Sequence, residues 1–100
     1  MSGRAMGFIE TFGYGAAIAA ADAALKAAAV NIVRLEVTIG SGGSMSTTVF
    51  LRGEVAAIQA SVEAAIEAAS RTGRVVSSNI IPNMDQKAEL GMYHGGLSGN

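Results

Sequence analysis

The side chains that most often carry chemistry are scarce in this chain of 100 residues. It has one histidine, His94, and no cysteine. His94 lies in the Gly-rich stretch "GMYHGGLSGN" with no cluster of carboxylates beside it. We therefore expect a solvated imidazole rather than a general base or a metal ligand. A triad-type nucleophile would lack its usual base, and disulfides and thiolate metal sites are excluded.

The carboxylates offer no better candidate for catalysis. Enzymes that use two carboxylates hold them together as an acid and a base, but no pairing here stands out from ordinary surface charge. The residues considered are Glu10, Asp22, Glu36, Glu54, Glu63 and Glu67. The sequence therefore predicts no catalytic residue, no metal site and no cofactor.

A glycine-rich stretch, "TIGSGGSMS" at residues 38–46, is the remaining candidate site. Gly-rich turns expose backbone N–H groups that can cradle a phosphate. A P-loop, however, ends in Lys-Ser/Thr and runs into a helix, whereas this stretch runs into a strand pattern. A tight hairpin needs only about two to five connecting residues, so a connection over residues 40–46 is long. By composition it is typical of a flexible hairpin loop.

Composition and charge limit the possible partners. The net charge is −1, from seven basic and eight acidic residues, so no basic patch indicates a nucleic-acid partner. The start of the chain lacks the apolar core of a signal peptide. Asp22 and Lys26 interrupt the Ala-rich run of residues 16–30, which argues against a membrane span. Half of the residues are hydrophobic, but many are alanines that bury little area each, so further burial in an assembly is expected.

Hydrophobic periodicity predicts six elements in the order β-α-β-β-α-β. This order is typical of the ferredoxin-like α+β fold, an antiparallel sheet with helices on one face. We predict one domain at residues 1–90 and a flexible Gly-rich tail at residues 91–100. The predicted strands are "AMGFIE", "VNIVRLEVTI", "TTVFLRG" and "RVVSSNIIP", and the predicted helices are "GAAIAAADAALKAAAV" and "EVAAIQASVEAAIEAASRTG".

The same patterns predict which faces are buried. In the first helix, Ile18 and Leu25 with the small residues between them should face the core, and Thr11 is a candidate cap. In the second strand, alternation predicts one buried face, made of Val33, Leu35, Val37 and Ile39. In the second helix, the predicted apolar stripe is Val55, Ile58, Val62, Ile66 and Ala69, and the predicted solvent stripe is Gln59, Glu63, Glu67 and Arg71.

Several separated motifs together resemble one known family. The segments "AMGFIETFGYGAAIAAADAALKAA", "IGSG", "VFLRGEVAAIQASVEAA" and "NIIP" occur in the order found in bacterial microcompartment shell proteins of the single-domain, hexamer-forming class. The resemblance covers residues 5–82. It implies the ferredoxin-like fold, a flat homo-hexamer, and hexamers that tile with one another and with other shell proteins into a shell in the bacterial cytoplasm.

The resemblance also implies roles for particular residues. The pore at the six-fold axis, which passes small polar metabolites, would be lined by Gly40, Ser41, Gly42, Gly43 and Ser44. Lys26, and Asn83 after "IIP", would lie at the hexamer edge. Family members often have Lys before "IGSG", where this chain has Thr38, and Arg near the position of Asn83. The nine residues between "IGSG" and "RG" also exceed the usual spacing.

Two functions of different classes follow from these observations. The first is a structural shell subunit with a transport pore, which is not an enzyme and has neither nucleic acid nor membrane as a partner. The alternative is a ferredoxin-like small-molecule-binding regulatory module. A small enzyme on this fold would lack a credible catalytic set.

Overall fold

The computed structural model describes residues 3–82 as one four-stranded antiparallel sheet with strand order β2-β3-β1-β4 and two helices. The predicted element order and fold class are confirmed. The predicted tail at residues 91–100, the domain end at residue 90, Asn83 and His94 lie outside the described residues. The elements are β1 Arg4–Phe12, α1 Tyr14–Ala27, β2 Asn31–Ile39, a 3₁₀ turn Ser41–Gly43, β3 Met45–Glu54, α2 Val55–Thr72 and β4 Arg74–Pro82.

The two central strands, β1 and β3, carry the core of the sheet. They pair along their whole length, from Arg4 opposite Glu54 to Phe12 opposite Ser46. One face of this pair packs under the helices, where Ile9, Val49 and Leu51 are fully buried. Because a pleated strand turns alternate side chains to opposite faces, the residues between them lie on the sheet's other face.

The first helix packs through alanine alone. The buried face of α1 consists of Ala16, Ala17, Ala20, Ala21 and Ala24. The prediction that Ile18 and Leu25 face the core is wrong, since both side chains are about half exposed. Small side chains let a helix lie close to its neighbours, so the larger residues of α1 are directed outward.

The cap predicted for α1 is also wrong. Gly13 occupies the N-cap position with φ of 92°, a left-handed conformation that favours glycine, and no side chain caps the helix. Thr11 is a buried residue of β1, and its Oγ1 donates a hydrogen bond to the Gly13 carbonyl oxygen at 3.1 Å. The threonine therefore fixes the turn into α1 by binding a carbonyl rather than the free N–H groups of the helix.

The second helix follows its predicted stripes. Ile58, Val62 and Ala69 are buried, and Ser61 and Ala65 complete the buried face. Gly7 of β1 allows this close approach, because a Cβ atom there would lie 2.9 Å from side-chain methyl carbons of Ile58 and Val62. Neither helix of the described residues is long and apolar enough to cross a membrane.

Candidate functional site

The glycine-rich connection is a short turn closed by its own backbone. The Gly40 N–H donates to the Ser44 carbonyl oxygen at 2.6 Å, and the Gly43 N–H donates to the Gly40 carbonyl oxygen at 3.2 Å. Met45 already belongs to β3. The loop is thus Gly40 to Ser44, shorter than the predicted residues 40–46, and two backbone hydrogen bonds constrain it.

Two glycines are required by the shape of this turn. Gly42 has φ of 72° and Gly43 has φ of 81°, both in the left-handed region that side chains disfavour. A Cβ atom at either position would meet nothing within 4 Å. Backbone conformation, and not crowding within the subunit, therefore explains glycine here, and the space around the loop is open.

The residues flanking the loop form two cross-strand pairs on opposite faces of the hairpin. Ile39 lies opposite Met45, and Thr38 lies opposite Ser46. Ile39 is 71% exposed and Met45 48% exposed. The apolar pair was not predicted as part of a site. Its signal in the sequence is an apolar residue on each side of the Gly/Ser loop.

An apolar stripe of β2 continues from this pair along the strand. Leu35 and Val37 face the same way as Ile39 because alternate residues of a strand share a face. This face is the one under the helices, since Leu35 lies opposite the buried Val49 of β3. The predicted burial of this face is wrong for the single subunit, because Leu35 is 37% and Val37 50% exposed. The helices cover the β1–β3 centre of the sheet but leave this edge uncovered.

The opposite face of the sheet carries an aromatic pair and an ion pair. The rings of Phe8 and Phe50 have centroids 5.9 Å apart, and the Arg34 guanidinium lies 4.6 Å from the Phe50 centroid. A nitrogen of that guanidinium is 3.6 Å from Glu36 Oε2. Arg34 therefore contacts both Phe50 and Glu36, and the Glu36 carboxylate neutralises its charge.

Lys26 lies at the end of the subunit remote from the loop. Helix α1 begins just after Phe12, which pairs with Ser46 beside the loop, and Lys26 is in its last turn. Twelve residues of helix span roughly 18 Å. The Lys26 Nζ atom is 2.9 Å from Asp22 Oδ2, and both side chains are mostly exposed.

The described residues offer no candidate metal centre. Residues 3–82 contain no group of three potential His, Cys, Asp or Glu ligands. Two of the carboxylates considered above have ordinary polar partners on the surface. Glu10 accepts a hydrogen bond from the Ser77 hydroxyl at 3.0 Å, and Glu67 pairs with Arg71 at 3.3 Å.

Comparison with known proteins gives a consistent result. The BMC domain model matches residues 5–84. The carboxysome shell protein CcmK2 of Synechocystis sp. is 47% identical over 87 residues, covering 85% of this chain and 81% of that protein. The bacterial microcompartment shell protein PduA of Citrobacter freundii is 44% identical over 82 residues, covering 82% of this chain and 84% of that protein.

A solved structure agrees with these relatives. A microcompartment protein from Desulfitobacterium hafniense superposes with a TM-score of 0.69 at 33% identity. The match covers 84% of this chain and 43% of that one, so this chain spans less than half of the solved protein. The fold and the motifs are those of a shell-protein domain. The chain belongs to the BMC domain family, which confirms the resemblance predicted from the sequence.

Proposed function

We propose that this chain is a structural shell subunit that assembles into a flat ring of six copies, with the Gly40–Ser44 loops converging on the axis to form a pore. The relatives that support the shell role are shell proteins and not enzymes. The observation that carries the pore assignment is that Gly42 and Gly43 stand in open space at the tip of the β2–β3 hairpin. Six copies can approach closely there, because glycine adds no side chain at the meeting point.

The exposed stripe of β2 supports the ring contact. Leu35, Val37 and Ile39 expose apolar surface that water disfavours, at about 25 cal/mol per Å². A neighbouring copy that covers this stripe would lie beside the loop, since Ile39 adjoins Gly40. A head-to-tail contact repeated with a fixed rotation closes a ring, and the ring would gather the six loops at its centre.

The position of Lys26 supports a role at the outer edge of the ring. If the loop lies at the centre, the last turn of α1 lies toward the rim. A lysine there can lay its aliphatic stem on a neighbouring hexamer while the ammonium donates to carbonyl oxygens. Asn83, which lies outside the described residues, is proposed for the same edge.

The proposed partners follow from this architecture. They are further copies of the ring, other shell proteins, and small polar metabolites in transit through the pore. The proposed location is a microcompartment shell in the bacterial cytoplasm, as for relatives that are named carboxysome or microcompartment shell proteins.

Light scattering and negative-stain microscopy of the purified full chain test this function. The shell role predicts a six-subunit species at micromolar concentration and sheets, tubes or hexagonal rings on the grid. Isolated small dimers with no larger assembly would instead indicate the ferredoxin-like regulatory module and would contradict the shell role.

A further inference from the structure

We propose that the pore of this chain selects uncharged solutes, namely small molecules with a hydrogen-bonding group and a short alkyl part, over anions of the same size. This inference rests on the proposed function, because it assigns a solute class to the same loop. It is carried by the charges, hydroxyls and apolar side chains around the loop end of the sheet. The loop end is the Gly40–Ser44 turn with its flanking pairs, Thr38–Ser46 and Ile39–Met45.

The loop end itself carries no ionisable side chain. Residues 37–48 contain glycine, serine, threonine, valine, isoleucine and methionine only. The nearest charges along β2 are Glu36 and Arg34, which lie 3.6 Å apart and neutralise each other. A solute at the loop therefore meets no net charge from its own hairpin.

Arg74 is the charged residue that shares a cross-strand row with the loop end. Thr38 lies opposite Ser46, Ser46 opposite Phe12, and Phe12 opposite Arg74. Three strand spacings separate Arg74 from Thr38, about 14 Å. The guanidinium also lies over the Phe12 ring, 5.6 Å from its centroid. Because the Debye length at physiological salt is about 8 Å, this charge acts only weakly at the loop.

An uncharged opening that strips water from a solute discriminates against ions. An ion that leaves bulk water needs a compensating charge, whereas a neutral polar group needs only a hydrogen-bond partner. The loop supplies hydroxyl groups and no countercharge, and the N–H groups of Gly40 and Gly43 donate within the turn rather than to a solute. In the six-fold ring, six such loops surround the solute and none of them supplies a countercharge. The free-energy barrier to passage should therefore be clearly higher for an anion than for a neutral analogue.

The two faces of the hairpin explain the requirement for an alkyl part. Thr38 is exposed on one face, and Met45 is exposed on the other. Ile39, which lies opposite Met45, belongs to the stripe that the neighbouring copy covers. A solute passing along the axis would meet a hydroxyl-bearing surface and an apolar surface in turn. A small molecule with both characters suits that path better than a strongly hydrated ion.

Flux through sheets of the full chain, laid across a perforated support between two chambers, tests this selectivity. The probes are lactamide and lactate, which are nearly equal in size and differ in charge. We expect the lactamide flux to exceed the lactate flux by at least about tenfold. Thr38→Lys adds six positive charges at the loop end, and it should raise the lactate flux several-fold and reduce that ratio.

The matched control is Gln59→Lys, which adds the same charge on the exposed face of α2. It should leave the flux ratio unchanged. Equal fluxes of the two probes in the unaltered chain, or a ratio unaffected by Thr38→Lys, would overturn the inference. Ser41→Leu distinguishes a wrong selectivity from a wrong pore assignment, because a bulky side chain in the pore should slow both probes. If it reduces both fluxes, the pore stands; if it reduces neither, the pore assignment is wrong and the selectivity falls with it.

Discussion

The Oγ atom of Ser61 donates a hydrogen bond to the carbonyl oxygen of Ala24 at 2.9 Å, and both residues are fully buried. This contact joins the middle of α2 to the last turn of α1, where the final carbonyl oxygens of a helix lack partners within it. Alanine-lined surfaces let the two helices approach closely enough for the bond. The turn of α1 that carries Lys26 is therefore fixed by a residue of another element.

Replacing Ser61 by alanine should destabilise the subunit. Ser61→Ala leaves the buried Ala24 carbonyl oxygen without this donor, and we expect a loss of about 1–2 kcal/mol in the free energy of unfolding. Urea unfolding at one fixed protein concentration measures it, since assembly contributes to apparent stability. The matched control is Ser70→Ala, whose hydroxyl donates to the Ile66 carbonyl oxygen on an exposed face. It should change stability by less than about 0.5 kcal/mol, and equal effects of the two variants would refute a special role for Ser61.

A methyl group at Gly7 should disturb the contact between β1 and α2. The added Cβ would lie 2.9 Å from methyl carbons of both Ile58 and Val62, which are themselves buried. Overpacking of this kind costs about 1–3 kcal/mol, so Gly7→Ala should lower the urea midpoint. Gly15→Ala is the matched control, because a Cβ there comes no closer than 3.9 Å to a neighbouring side chain. Gly15→Ala should be neutral or slightly stabilising. A urea midpoint for Gly7→Ala as high as for this control would show that α2 can shift to accommodate the added methyl group.

A charge in the exposed stripe of β2 should prevent ring formation. Val37→Asp places a carboxylate where the proposed contact buries apolar surface, and an unpaired buried charge is costly. We expect light scattering to report subunits smaller than a hexamer while circular dichroism stays native. Gln59→Glu adds the same charge on the exposed face of α2 and should leave the ring intact. Hexamers formed normally by Val37→Asp would exclude this stripe from the ring contact.

Reversing the charge of Lys26 should stop sheets and leave rings. Lys26→Asp removes the proposed donor to a neighbouring hexamer, and electron microscopy should then show separate hexamers. Asp22→Asn tests the simpler view that Lys26 serves its own helix, since Asp22 is its partner at 2.9 Å. An exposed pair at this spacing is worth only about 0.3–0.5 kcal/mol, so Asp22→Asn should still form sheets. Sheets formed by Lys26→Asp would contradict the edge role.

The sequence predicted the element order well because each element has a strong local signal. The stripe of α2, from Ile58 to Ala69, follows helical periodicity and is buried as expected. The short apolar strand β1 extends further than predicted, to Phe12, because pairing with β3 and β4 on both sides sustains it.

Burial was predicted less well where it depends on neighbouring elements. Periodicity assigned Val33, Leu35, Val37 and Ile39 to one face of β2. It could not indicate the irregular pairing at Val33, or that the helices stop short of that edge. For α1, the expectation that larger side chains seek the core misplaced Ile18 and Leu25. The close packing of the alanine face decided the orientation instead.

The position of the loop between β2 and β3 was predicted, whereas its constrained shape was not. The composition of the loop indicated a flexible hairpin connection, but its closure by the Gly40–Ser44 hydrogen bond depends on the left-handed conformations of Gly42 and Gly43. No local sequence pattern distinguishes such a constrained turn from a flexible one. The assignment of Lys26 came from the family resemblance, because an exposed lysine paired with an aspartate has no distinguishing pattern of its own.

Cryo-electron microscopy of the purified, assembled chain tests directly whether the Gly40–Ser44 loops meet at a six-fold axis. The measured quantity is the position of the Gly40–Ser44 loop in the assembly. We expect a six-fold ring in which all six loops line the axis, the β2 stripe is covered by a neighbouring subunit, and Lys26 lies at the rim. A ring with these loops on its outer edge, or particles no larger than dimers, would contradict the proposed pore and ring.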